Sequence, residues 1–217
     1  MIRIIWKDIC TIEEIPLIKP DCIEQKRWEN MQELRAETDK KRSLASGYLL
    51  DYMCCDLQVA NPVYEYTKRG KPVLKDAECV FNISHSGDYV VLAYQPKGEE
   101  LGADIQKIRP MREGMERRLL HEKEKMVLPE GEEERLRYMN RLWTVKESFV
   151  KMTGEGLLRD FRTICVDFEN GIAISDEGKS AYFTVWNWKD DYFLSICGAN
   201  DKEIEIKEIQ SWIHNKK

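Results

Sequence analysis

Apolar positions recur along this chain with two different periods. Residues 2–6 (IRIIW) read as an opening strand, and residues 23–34 carry a helical pattern. A clearer helix is expected over residues 39–52. There Leu44, Tyr48, Leu49 and Tyr52 form an apolar stripe, and Asp39 suits the N-cap. Residues 66–72 (YTKRGKP) read as a loop or turn, punctuated by Gly70 and Pro72. Residues 79–83 and 89–94 are short strands, and the Gly and Asp of 84–88 (SHSGD) suit a tight hairpin between them. Residues 101–105 (LGADI) form a further strand. Residues 115–151 read as helices interrupted near 129–131. In the last of these helices Leu142, Val145, Phe149 and Met152 make one apolar face, while Thr144, Glu147, Ser148 and Lys151 fall on another. Gly154 and Gly156 stop it. Strands are then expected at 163–168, 182–188, 192–197 and 202–209, with 189–191 (KDD) as a hairpin turn. One apolar set, Leu119, Leu120, Met126, Val127 and Leu128, suits either core or an exposed docking surface.

The order is strand, helices, strands, repeated once. That order indicates an α+β protein of two similar halves. Residues 95–100 (QPKGEE) are polar, contain Pro and Gly, and form the expected linker; the halves are residues 1–98 and 99–217. The 217 residues are 42% hydrophobic, enough for a sizeable core. The net charge of −5 argues against a general nucleic-acid-binding role. No apolar run is long enough to span a bilayer, and the opening MIRIIWKDIC is too short and too charged for a signal peptide. The seven cysteines are odd in number and form no C-x-x-C pair, which fits thiols in a reducing cytoplasm. His85, His121 and His214 are scattered and give a zinc site little support. No Walker A motif, G-x-G-x-x-G or internal repeat occurs.

Several polar residues stand where chemistry is expected. Glu147 and Lys151 are four apart on one helix, so they can address one ligand or each other. A lone Glu–Lys pair of this spacing is usually a surface salt bridge; here it stands with Trp143, Lys146, Ser148 and the glycines. Asp104 sits between apolar neighbours in a short strand, which costs desolvation unless the acid is paired or binds metal. His85, flanked by Ser84 and Ser86, offers donors suited to phosphate oxygens. Lys40, Lys41 and Arg42 lie near a helix N-terminus, where cations oppose the dipole. The lysines fit a solvated face, and Arg42 fits a bound anion. The 66–72 loop adds Lys68, Arg69 and Lys71, a solvated loop or a phosphate contact.

Taken together, FNISHSGDYVVLA, LGADI and LWTVKESFVKMTGEGL, in this order and spacing, resemble the Sfp-type phosphopantetheinyl transferases. The resemblance runs from the Arg42 helix to Leu157. It implies a pseudo-dimer of two α+β halves with coenzyme A in the cleft between them. It implies holo-[acyl-carrier-protein] synthase activity: 4′-phosphopantetheine moves from coenzyme A to a serine of an apo acyl or peptidyl carrier protein, with Mg²⁺. By the same resemblance Asp104 and Glu147 bind the metal, Glu147 also serves as base, and Lys151 meets the phosphates, with Lys146 assisting or anchoring the helix. Arg42 would meet the 3′-phosphate, Lys71 and His85 the other phosphates, and Ser84 would help seat the nucleotide.

One position departs from the family pattern. Many members read G-x-D-I-E where this chain has Gln106, so Gln106 or a water completes the metal site, and weaker metal binding is expected. A pseudo-dimer is complete as a monomer, and no nucleic-acid or membrane partner is expected. Three other readings exist. A catalytically weak or inactive binder of coenzyme A or carrier protein is favoured only by Gln106. An unrelated Mg²⁺-dependent hydrolase or nucleotidyl transferase leaves the HSGD string unexplained. A bland α+β protein with surface salt bridges needs three coincidences.

Overall fold

The structure, a computed structural model, describes residues 1–67, 71–75, 77–98, 100–155, 159–198 and 203–209. Residues 68–70, among them Lys68, Arg69 and Gly70 of the basic loop, lie outside the described residues, as do Gly156, Leu157 and Lys202. The chain is α+β and divides into two units: Met1–Lys97 together with the returning segment from Glu203, and Gly98–Lys202.

The first unit opens with strand β1 (Ile2–Asp8), followed by helices α1 (Gln25–Glu33) and α2 (Glu37–Asp56). A small hairpin, β2 (Tyr64–Tyr66) and β3 (Pro72–Leu74), precedes a larger one, β4 (Val80–Ser86) and β5 (Tyr89–Gln95). β1 pairs antiparallel with β5, Ile5 opposite Leu92. α2 packs on β5 and β1. Their contact buries Ile5, Leu44, Leu49, Met53, Leu92 and Tyr94, the heart of this unit's core.

The second unit repeats the plan. Strand β6 (Leu101–Lys107) leads into helices α3 (Met115–Leu119), α4 (Glu122–Lys125) and α5 (Glu132–Thr153). Four strands follow: β7 (Ile164–Asp167), β8 (Ile172–Ser175), β9 (Ser180–Trp188) and β10 (Tyr192–Gly198). The sheet order is β6-β10-β9-β8-β7, with Asp104 of β6 opposite Ser195 of β10. In both units the opening strand lies antiparallel to the last strand of a hairpin, with the longest helix against them. α5 buries Leu142, Val145 and Phe149 with Ile164, Ala181 and Phe183.

Strand β11 (Ile204–Glu208) leaves this second group. It pairs parallel with β1, Ile4 opposite Ile206, and completes the sheet order β11-β1-β5-β4. A division into 1–98 and 99–217 assigns this strand to the second half; its backbone hydrogen bonds place it in the first.

Other expectations change in detail. α2 begins two residues before Asp39, and its N-cap is Ala36 with no side-chain bond. Glu37 and Asp39 instead lie in the first turn, where acids complement the helix dipole. β4 runs through Ser86, so the hairpin turn is only Gly87 and Asp88, with Gly87 at φ 53. The stretch around 66–72 contributes to both strands of the small hairpin, and β8 was not anticipated by periodicity. The ambiguous apolar set divides: Leu119 and Leu120 are buried, Leu128 packs on the core, and Met126 and Val127 are exposed. Among the described residues no helix is long and apolar enough to cross a membrane.

Candidate active site

The site residues of the second unit come from β6 and α5. α5 starts with Glu132, Glu133 and Glu134 in its first turn, favourable to the dipole, and ends at Gly154, whose φ of 70 is a left-handed cap. Its apolar face is buried as expected. The face carrying Thr144, Glu147 and Ser148 is buried as well, so α5 is not a simple amphipathic surface helix. Ser148 Oγ meets Ser195 Oγ and Cys197 Sγ, each at 3.0 Å, and bonds back to the Val145 carbonyl. These contacts seat the polar side of α5 on β10.

Gly102 sets how close β6 comes to α5. A Cβ at this position would overlap the Ser148 carbonyl oxygen and lie 2.6 Å from Met152 N. Only glycine permits this approach. Asp104 and Gln106, two and four residues further along the strand, share the face of Gly102 that meets α5.

That approach brings Asp104, Glu147 and Lys151 together. Lys151 Nζ donates to Asp104 Oδ1 at 2.6 Å. Asp104 and Glu147 are 5% and 6% exposed. Burial, and then the nearby Asp104 charge, push the Glu147 carboxyl up to about 7, against the opposing pull of Lys151. Glu147 Oε1 is buried without a hydrogen-bond partner among the described residues. Gln106 is also buried, and its amide Nε2 donates to the Lys107 carbonyl at 3.1 Å. Among the described residues no group of three or more His, Cys, Asp or Glu side chains is arranged for a metal.

Lys146, expected to assist at the phosphates or to anchor the helix, is fully buried. Its Nζ donates to the Leu119 carbonyl at 2.7 Å, Glu124 Oε2 at 2.6 Å and the Phe161 carbonyl at 3.1 Å. An ammonium has three donors, and all three are used. Burial lowers this ammonium's pKa, against the raising effect of Glu124. The geometry is that of an anchor, with no N–H left for a phosphate. Glu124 carried no sequence argument, although His121-x-x-Glu124 has capping-box spacing and forms that box here.

The first unit carries the other expected phosphate residues. Arg42 donates from Nε and Nη2 to the Gly87 carbonyl at 3.1 and 2.7 Å, and from Nη1 to Asp39 Oδ1 at 2.8 Å. The D-x-x-R spacing was the available signal for the last of these. Arg42 is therefore fastened to the turn of the β4–β5 hairpin. Ser84 and His85 both lie in β4, not in the turn, and alternate across the sheet: Ser84 is buried and His85 exposed. Ser84 and Ser86 thus share a face that His85 does not. Lys71 stands just before β3, where its backbone N–H donates to Thr67 Oγ1 at 3.1 Å.

Two family models match this chain in succession. Residues 14–97 match "4′-phosphopantetheinyl transferase, N-terminal", and residues 100–197 match the "4′-phosphopantetheinyl transferase superfamily". The chain belongs to the 4′-phosphopantetheinyl transferase superfamily, as its three motifs imply. Among its relatives is 4′-phosphopantetheinyl transferase Sfp of Bacillus subtilis (strain 168), 31% identical over 141 residues, which are 63% of this chain and 61% of that protein. 4′-Phosphopantetheinyl transferase psf-1 of Bacillus pumilus is 26% identical over 206 residues, 91% of this chain and 87% of the relative. The L-aminoadipate-semialdehyde dehydrogenase-phosphopantetheinyl transferase of Xenopus laevis is 30% identical over 180 residues, 73% and 57% of the two chains. The matched stretch thus spans less than two thirds of the Sfp and Xenopus proteins.

Proposed function

We propose that this chain transfers 4′-phosphopantetheine from coenzyme A to a serine hydroxyl of an apo acyl or peptidyl carrier protein. The observation that carries the reading is the cluster of Asp104, Glu147 and Lys151, two buried carboxyls with the Lys151 ammonium 2.6 Å from Asp104 Oδ1. A carboxyl poised near neutral pH is suited to take a proton from a hydroxyl. The serine oxygen forms a new bond to the β-phosphorus of coenzyme A. The bond from that phosphorus to the bridging oxygen breaks, and adenosine 3′,5′-bisphosphate leaves. Glu147 receives the hydroxyl proton, directly or through a water. Lys151, held in place by Asp104, balances the charge that builds on the departing phosphate.

Mg²⁺ fits the donor set. Asp104 and Glu147 supply hard anionic oxygens, and the buried Glu147 Oε1 lacks another partner among the described residues. Gln106 on the same strand face supplies a carboxamide. Mg²⁺ commonly takes one or two carboxylates and completes its shell with water and phosphate oxygens. When bound it would offset phosphate charge during transfer.

In the first unit, Arg42, Lys71, Ser84 and His85 are proposed to hold the phosphates of coenzyme A. Among the described residues Arg42 uses three of its five N–H groups on Gly87 and Asp39, which leaves two for an anion in a side chain already fixed in place. The two-half organisation belongs to the same proposal, with the strand β11 assigned to the first half. The enzyme is proposed to be cytoplasmic and to act as a monomer, which sedimentation across a concentration series tests.

The direct test is the intact mass of an apo carrier protein after incubation with this protein, coenzyme A and Mg²⁺, beside an EDTA control. A metal-dependent gain of one phosphopantetheine supports the proposal. Coenzyme A binding with no gain on several acyl and peptidyl carriers would replace it with a non-catalytic binder.

A further inference from the structure

Among the described residues the Lys146–Glu124 pair is the most deeply buried ion pair beside the candidate site. Lys146 is 0% exposed and Glu124 is 2% exposed. The node does more than join two side chains. Lys146 reaches the backbone at the end of α3 through Leu119 and the short 3-10 turn through Phe161. Glu124 Oε1 accepts from Val166 N of β7 at 2.9 Å, and its Oε2 accepts from His121 N at 2.8 Å as well as from Lys146. Five segments of the second unit therefore meet at one ammonium and one carboxylate. The ammonium belongs to the residue immediately before Glu147.

We infer that Lys146 and Glu124 form a positioning pair that fixes the 146–151 stretch of α5, and with it Glu147 and Lys151. Neighbouring helix residues point about 100° apart, so Lys146 faces the α3, α4 and β7 side while Glu147 faces Asp104. Anchoring one side chain fixes the rotation of the helix and hence the direction of the next. A hydrophobic residue in place of Lys146 would fill the volume but leave Glu124 buried and uncompensated, whereas removing both charges together spares that cost. The pair is a rotational stop for the catalytic helix. Only the kinetic part of its test depends on the proposed transfer reaction.

The experiment compares wild type, Lys146→Met and Lys146→Met/Glu124→Gln. The glutamine keeps an acceptor oxygen for Val166 N–H. Hydrogen exchange of α5 amides, coenzyme A affinity and carrier-protein kinetics are measured on each. Lys146→Met is expected to speed α5 exchange at least tenfold and lower kcat at least tenfold. Coenzyme A affinity should stay within twofold. The double variant should regain most of the exchange protection. If Lys146→Met does not fold, the double variant carries the test, with near-normal coenzyme A affinity and reduced kcat expected. Unchanged α5 protection in Lys146→Met, or a tenfold loss of coenzyme A affinity persisting in the double variant, would overturn the inference. Because exchange is read without turnover, an inactive wild type would count against the transferase reading alone.

Discussion

Lys151 of α5 donates to Asp104 of β6 at 2.6 Å, one helical turn beyond Glu147. This bond ties the helix and the strand together beside the Glu147 carboxyl, which burial pushes up to about 7. It leaves Glu147 with two unequal neighbours. Asp104 raises its pKa and Lys151 lowers it, and burial outweighs both.

Glu147→Gln should therefore separate activity from stability. Transfer should fall by roughly 10²–10⁴-fold, the usual contribution of a general base. Glu147 binds its proton more tightly folded, at about 7, than at its ordinary 4.5. The native state holds the extra proton between those values, so stability drops as pH rises through that window. Without bound metal, the glutamine variant should be more stable at pH 8 by on the order of 2 kcal/mol, and the gap should close below pH 4. Urea titrations at the two pH values check this. A variant less stable at pH 8 would show that the carboxylate is compensated.

Gln106→Glu should lower the Mg²⁺ concentration for half-maximal rate, because a third carboxylate adds charge to the Asp104–Glu147 donor set. Magnesium titration of the initial transfer rate reads it out. An unchanged or higher requirement would show that position 106 does not face the metal.

Two glycines should respond in different ways. Gly102→Ala places a methyl on the Ser148 carbonyl and against Met152 N, both backbone atoms that cannot swing aside. A cost of about 3 kcal/mol or more is expected, at the upper end for overpacking. Gly154→Ala meets no atom of the described residues within 4 Å and is penalised by its φ of 70, so about 1 kcal/mol is expected. Equal losses in chemical denaturation would contradict the close approach of β6 to α5.

Arg42→Ala should weaken coenzyme A binding by about tenfold or more, the scale of a charge-assisted bidentate contact. Arg42→Lys should not restore it, since one ammonium cannot hold the Gly87 carbonyl and Asp39 and also fork onto a phosphate. Calorimetric titration with coenzyme A measures both variants. Wild-type affinity in Arg42→Ala would remove Arg42 from the phosphate contacts.

Much of the second unit was legible because its signals are local. The apolar face of α5, the Gly154 stop and the acid inside β6 are all visible within a few residues. For Lys146 anchoring stood beside a phosphate contact, and the sequence could not choose between them, because its acceptors lie at Leu119, Glu124 and Phe161 and a buried ammonium leaves no periodic trace. Asp39 has the chemistry of a cap, but the acids of the first turn carry that end and α2 begins earlier. β2, β3 and β8 have three or four residues each, too few to show a period of two. The alternation of Ser84 and His85 depended on knowing that β4 continues to Ser86. The partner of β11 was the least accessible of all, since its pairing with β1 joins residues at opposite ends of the sequence.

That last pairing bears on how the protein is made. A ribosome releases β1, β4 and β5 long before β11, so during synthesis β1 has its antiparallel partner on one side and an open edge on the other. Open strand edges recruit other strands, and the whole second unit must emerge before the proper one arrives. The nascent chain therefore spends the translation of more than a hundred residues with its first sheet one strand short, the interval in which a chaperone or a neighbouring nascent chain would find it.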